Sequence, residues 1–239
     1  MAIASLKQSA VAGAQAMRNH TACHPYWTDR SAAGEELAVR LAAWARQEAT
    51  TTLVALPRGG VAVAAAMARR LELPLTTWAV RKLALPTSPE FAIGAIAPGG
   101  VELWDPASSR GLQQHPELRR MILEREAQEL LRRQQLFGDA APERLAGREL
   151  IVVDDGIATG LTVRAALLSL RQLNPARLIL AVPVVTRRVL AELEPLLDEA
   201  VVLAPVDDLL AVGCHYFRFE QLSDNDVLAL LAACQPAQG

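Results

Sequence analysis

The hydrophobic pattern of this chain alternates between two periods. Short apolar-rich runs at 53–56, 75–80, 150–153, 178–182 and 200–203 are each four to six residues long. That length, between Gly, Pro, Asp or Asn residues, predicts buried strands. Between the runs, apolar residues recur at helical spacing. Leu37, Leu41 and Trp44 mark a helix over 34–47, and Val61, Ala64, Ala65, Ala68 and Leu71 a second after Gly60. Val163, Ala166, Leu167 and Leu170 mark a third, and 187–196 reads as a fourth. Strands alternating with helices predict right-handed βαβ units, hence an α/β fold with an open, mainly parallel twisted sheet flanked by helices.

Other segments break the alternation. Residues 91–97 and 101–104 flank Pro98-Gly99-Gly100 and predict a hairpin. Residues 83–90 hold Pro86, Thr87, Ser88 and Pro89 and read as a loop. Residues 117–137 predict a long inserted helix, whose Arg and Glu residues form a solvated face with i, i+4 pairs. The stretch 1–25 is expected to be a lead-in, and 26–239 a single domain. The tail from Gly213 to Leu231 begins with aromatics and ends in a short helix.

Composition then limits the partners. Half of the 239 residues are hydrophobic, enough for a sizeable core, and the net charge is −2. Near-balance argues against a general nucleic-acid binder. No apolar run approaches the roughly 18 residues of a membrane span. The N-terminal stretch, with Lys7, Gln8 and Gln15, has no clean signal-peptide core. A cytoplasmic protein with neither a membrane nor a nucleic-acid partner is expected. Cys23, Cys214 and Cys234 are too few and too scattered for a disulfide framework. His20, Cys23 and His24, even with Cys214-His215, lack zinc-site spacing and read as unrelated residues.

The chemistry concentrates in residues 150–163, Leu-Ile-Val-Val-Asp-Asp-Gly-Ile-Ala-Thr-Gly-Leu-Thr-Val. A buried strand ends in two carboxylates, Asp154 and Asp155, and a short loop feeds a helix. Ligands of open α/β sheets bind beyond the carboxyl ends of the strands. A helix N-terminus offers backbone N–H groups and a positive dipole end to phosphate. Gly156 and Gly160 permit close backbone approach, and Thr159 and Thr162 add hydroxyl donors. Carboxylates repel phosphate, so their target is neighbouring sugar hydroxyls, from which they accept hydrogen bonds. This is a sugar-phosphate site at a strand end expected to face solvent. Isolated, an Asp pair there reads as helix capping.

A second loop, Pro57-Arg58-Gly59-Gly60, has the same strand–loop–helix setting with a positive side chain. An Arg-Gly-Gly tripeptide alone is only a turn. Two such loops in one parallel sheet suggest a sugar with phosphate at both ends, which phosphoribosyl pyrophosphate (PRPP) satisfies. Patterns for P-loop nucleotidases, dinucleotide folds, esterase elbows and zincins are absent from the sequence.

The run Val152-Val153-Asp154-Asp155-Gly156-Ile157-Ala158-Thr159-Gly160-Leu161-Thr162 resembles the PRPP-binding signature of the type I phosphoribosyltransferases. Further segments resemble one branch, bacterial stand-alone predicted phosphoribosyltransferases. They are Leu56-Pro57-Arg58-Gly59-Gly60, Val80-Arg81-Lys82, Pro89-Glu90, Ala92-Ile93-Gly94-Ala95, and Val212-Gly213 followed by Tyr216 and Phe219. The similarity runs from about Tyr26 to Leu231.

The resemblance implies a Mg²⁺-dependent phosphoribosyltransferase acting on PRPP and a base-like or amine acceptor. Asp154 and Asp155 correspond to the ribose-binding pair, one of them also aiding the base. Ala158 to Thr162 correspond to the 5′-phosphate loop. Arg58-Gly59 matches the pyrophosphate loop, where the family often keeps a non-proline cis peptide. Arg81 and Lys82 open the segment resembling the catalytic loop, and residues 205–231 a small hood over the acceptor. Mg²⁺ is expected on substrate oxygens and water, with no dedicated protein cage. A homodimer is the assembly that the resemblance suggests. A regulatory protein that senses PRPP or a nucleotide without catalysis is the alternative on the same fold, and a phosphate-ester hydrolase a third. Two departures carry expectations. Gly156 replaces an aliphatic residue common in the wider family. The stretch after Lys82 carries prolines and runs into a strand, so it should be stiffer than a mobile lid.

Overall fold

The computed structural model describes residues 25–88 and 91–234. Most of the 1–25 lead-in, the His20, Cys23 and His24 group, and Pro89-Glu90 lie outside the described residues. The elements are α1 (Arg30–Arg40), β1 (Thr51–Ala55), α2 (Gly59–Leu71), β2 (Leu75–Thr77), β3 (Arg81–Ala84), β4 (Ala92–Ala97), β5 (Val101–Trp104) and α3 (Pro116–Phe137). They continue with β6 (Glu149–Val153), α4 (Leu161–Arg171), β7 (Arg177–Thr186), α5 (Arg187–Leu193), β8 (Glu199–Val206) and α6 (Asp224–Ala232).

Five strands form one sheet in the order β2-β1-β6-β7-β8, every neighbouring pair parallel. Side chains alternate between its faces. Leu150, Val152, Leu178, Leu180 and Val182 pack with Val163, Ala166, Leu167 and Leu170 of α4. Leu53, Ala55, Ile151, Val153, Ile179 and Ala181 pack on the other face, with Leu37 of α1 and Val61, Ala64, Met67 and Leu71 of α2. Strands buried on both faces explain the continuous apolar runs. Among the described residues, no helix is long and apolar enough to cross a membrane.

Several boundaries differ from the sequence reading, each for a local reason. The first helix starts at Arg30 rather than at 34, because Asp29 caps it by accepting from the Ala32 N–H at 3.0 Å. Gly34 lies inside that helix at its crossing with α2; a Cβ there would stand 2.3 Å from the Val63 carbonyl. Strand β2 stops at Thr77, not at 80. Asp139 accepts from the Thr77 hydroxyl (2.6 Å) and the Ala79 N–H (2.7 Å) and draws the chain out of the sheet. Strand β7 runs through Pro183 to Thr186. A proline interrupts a central strand, but β6 pairs with β7 only as far as Val153↔Ala181, so Pro183 lies past its partner.

The hairpin over 92–104 is present, and β3 joins it as a three-stranded antiparallel sheet in the order β3-β4-β5. Arg81 and Lys82 therefore open a strand instead of closing one. Helix α3 packs on this sheet through Ile122 and Leu130 against Leu83, Ile93 and Ile96. Its outer face carries the expected pairs, including Arg120 with Glu117 and Glu124. On its inner face Glu126, with 7% side-chain exposure, accepts from Arg81 at 2.9 and 2.6 Å. Removing one partner of a buried ion pair leaves an uncompensated charge. Glu126→Ala should cost about 3 kcal/mol of stability, read as a lower urea midpoint. An unchanged midpoint would show that the pair does not hold α3 to β3.

Candidate functional site

Strands β1 and β6 are neighbours in parallel register, with Ala55 beside Val153. The loops that follow them therefore leave the same carboxyl edge of the sheet. The Leu56 N–H donates to the Val153 carbonyl at 2.9 Å, continuing the ladder by one residue. The Pro57–Arg58 peptide is cis. Beyond it the loops touch. A Cβ on Gly59 would stand 1.9 Å from Asp155 Oδ2, and one on Gly60 would stand 2.5 Å from the Val153 carbonyl oxygen. Hence the Arg-Gly-Gly loop and the Asp-Asp loop, far apart along the chain, are one surface. They can approach only because neither glycine has a side chain.

Downstream of the acids, Ile157 is buried and its N–H donates to the Val184 carbonyl at 2.9 Å. Ala158 and Thr159 stand exposed. Gly160, with φ +77°, is the N-cap of α4 and provides no side chain to cap it. Leu161 and Thr162 form the first, half-buried turn. The leading N–H groups of α4 have no intrahelical acceptor, and they follow the exposed Thr159. The structure thus brings Arg58, Gly59, Gly60, Asp154 and Asp155 into one cluster, with the 156–162 loop continuing from it. Arg81 and Lys82 lie on β3, where Arg81 is engaged by Glu126.

The two acids are half-buried, less open to solvent than the sequence reading expects. The Asp155 side chain is 14% exposed and holds Arg30 Nε at 2.7 Å. The Arg30 guanidinium lies 3.7 Å over the Phe219 ring and donates to the Glu220 carbonyl at 2.9 Å. The Tyr216 hydroxyl donates to the Asp155 carbonyl at 2.6 Å. Tyr216 packs between Trp27 and Phe219, and Trp27 bridges to it as a short parallel pair. Phe217 points outward, 71% exposed. Burial, and next the Asp155 charge, push the Asp154 carboxyl well above the usual carboxylate range. Burial also raises Asp155, against the pull of Arg30. Burial raises the Tyr216 phenol, and Asp155 adds to it.

Arg30 is the residue that sequence reasoning missed. It lies 125 positions from Asp155, and no local pattern links them. Val212 is the second. A Cβ on Gly156 would meet its Cγ1 at 2.5 Å, so Val212 fills the space that an aliphatic residue at 156 would take. The available signal was the pairing of that glycine with Val212-Gly213 in the resemblance.

Fold and site together define a doubly wound α/β protein in which a glycine loop and an acidic loop meet at the carboxyl edge of the sheet. The family model of the phosphoribosyl transferase domain matches residues 29–203. The chain belongs to that family. It is 38% identical over 206 residues to the Mycobacterium tuberculosis protein named "Putative phosphoribosyl transferase Rv0571c". The match covers 85% of this chain and 46% of that protein, so the chain spans about half the length of the curated relatives it matches. It is 37% identical to TT1426 of Thermus thermophilus, known from a crystal structure. That likeness covers 86% of this chain and 97% of the other, with a TM-score of 0.63.

Proposed function

We propose that this chain transfers the 5-phosphoribosyl group of PRPP to a nitrogen of a base-like or amine acceptor and releases pyrophosphate. The observation that carries the reading is the contact between Gly59 and Asp155, which joins a cationic loop and an acidic loop into one surface. Such a surface suits a sugar anionic at both ends.

In this reading residues 156–162 hold the 5′-phosphate through the α4 N-terminus and the hydroxyls of Thr159 and Thr162. Asp154 and Asp155 accept from the ribose hydroxyls. Arg58 with Gly59 and Gly60 faces the pyrophosphate, with Arg81 and Lys82 as further cations. The C1–O bond to pyrophosphate breaks as the C1–N bond forms, and the acceptor nitrogen gives up its proton. In this reading the carboxylates face the positive charge that grows on the sugar, and Arg58 the negative charge that grows on the leaving group. Mg²⁺ would be held mainly by substrate oxygens and water, with the hard carboxylate oxygens of Asp154 and Asp155 close by and no dedicated protein cage. Bound there, Mg²⁺ supplies charge neutralisation for the pyrophosphate.

The test is incubation with PRPP, Mg²⁺ and a panel of bases and amines, with pyrophosphate as the readout. Release that requires an acceptor supports transfer. PRPP binding without release would make the protein a sensor, and release without any acceptor a hydrolase. In the active assay Thr159→Val should weaken PRPP by about 1–3 kcal/mol through a lost hydrogen bond to a charged oxygen. Unchanged PRPP affinity would remove Thr159 from the phosphate site.

A further inference from the structure

The inserted helix α3 carries more positive charge toward the Arg58 loop than its own acids balance. Arg58 makes only a loose ion pair, 3.7 Å from Nη1 to Asp224 Oδ1. The other Asp224 oxygen takes Arg132 of α3 at 2.9 Å, so a single carboxylate bridges the glycine loop to the helix. One helical turn inward, Glu129 accepts from both Arg132 (2.7 Å) and Arg133 (2.8 Å). Glu126 accepts from Arg81 (2.6 Å) and Arg125 (2.8 Å). Glu126, Glu129 and Arg133 fall at i, i+3 and i+7 and share a face of the helix. Five guanidinium groups (Arg58, Arg81, Arg125, Arg132, Arg133) thus share three carboxylates.

Arg133 is the most enclosed of the helix arginines in this cluster, its side chain 14% exposed. Burial lowers its hold on the proton, Glu129 opposes this, and the charges of Arg81 and Arg58 depress it further. Like charges gathered beside a glycine loop destabilise a fold unless an anion joins them. The acids hold the guanidinium groups in place without neutralising all of them.

We infer that Arg133 is a binding residue for the pyrophosphate leaving group, acting with Arg58 and Arg81, so that α3 completes the anion site from within the same chain. This rests on the phosphoribosyl-transfer reading. When the C1–O bond breaks, its electron pair stays on the pyrophosphate oxygen, and the fixed guanidinium groups meet that charge without rearranging. Strand β3 and the helix then supply the cations that a flexible loop would otherwise bring.

The test measures binding of inorganic pyrophosphate and, separately, ribose 5-phosphate by calorimetry, to wild type, Arg133→Met, Arg133→Lys and Arg58→Met. Arg133→Met should weaken pyrophosphate at least about tenfold, the loss expected for a hydrogen bond between charged groups. It should leave ribose 5-phosphate within about twofold. Arg133→Lys should fall between, because lysine keeps the charge and loses the planar fork; it carries the test if the methionine variant does not fold. If both Arg133 variants bind pyrophosphate like wild type while Arg58→Met does not, the inference fails and the transfer reading stands. If wild type binds neither probe, both fail.

Discussion

Gly59→Ala should abolish phosphoribosyl transfer while the protein stays folded, and its neighbour Gly60→Ala should lose both transfer and much of the stability. The difference lies in what each new methyl group meets. At Gly59 it would stand 1.9 Å from Asp155 Oδ2 and 2.4 Å from Cγ, side-chain atoms that can swing aside. Swinging aside breaks the Arg30 contact and takes the carboxylate from its place. A misplacement of about 1 Å can cost roughly a hundredfold in rate, and this one is at least that large. At Gly60 the methyl group would stand 2.5 Å from the Val153 carbonyl and 3.0 Å from the Asp154 Cα, both backbone. Strands β1 and β6 would have to part, at about 1–3 kcal/mol for overpacking. Pyrophosphate release and thermal melting of the two variants separate these outcomes. An active Gly59→Ala protein would show that Asp155 is not needed where it stands.

Asp154→Asn should make the unliganded protein more stable and unable to bind PRPP. Burial and the neighbouring Asp155 raise the Asp154 carboxyl. The folded chain therefore keeps a proton there at pH values where the unfolded chain has lost it. The associated stability is fully present below the unfolded value, about pH 4. It is lost as the pH climbs from there through the raised value. Asparagine keeps an oxygen to accept the Asp155 N–H, the contact Asp154 makes at 2.9 Å, and cannot ionise. The melting temperature near neutral pH should rise by about 2–4 °C, the shift for roughly 1 kcal/mol in a chain of this size. Its decline with rising pH should flatten, and PRPP should no longer raise it. A lower melting temperature for the folded variant would falsify the buried-repulsion account. Glu129 titrates in the opposite sense. Arg132, chiefly, lowers its carboxyl to about 2, so its contribution is present above the ordinary glutamate range and disappears as the pH falls toward that value.

The parallel sheet and the two loops were legible in the sequence because each is a contiguous signal. Residues 150–163 spell strand, acids, glycine loop and helix in order, and 53–60 repeat the arrangement with Arg58. What escaped was set by contacts between distant segments. Arg30 reads as an ordinary polar residue until Phe219 and Asp155 are placed against it. Arg81 reads as a strand end until Glu126, from an inserted helix, takes its guanidinium group. The sequence pattern ends β7 at 182 because Pro183 stops a strand wherever both neighbours are paired, and only the register shows that one neighbour has already stopped. Tyr216 reads only as one of the aromatics that begin the tail. It is buried at 5% exposure, and its hydroxyl also steadies the acidic loop.

Asp155 is met by Arg30 from the beginning of the described chain and by Tyr216 from near its end. On the ribosome, where folding proceeds from the N-terminal side, the sheet can assemble from residues 51–206 while this carboxylate still lacks its last partner. The acidic loop is therefore completed after the scaffold, when residues 216–219 emerge and meet Arg30 from the segment ahead of β1.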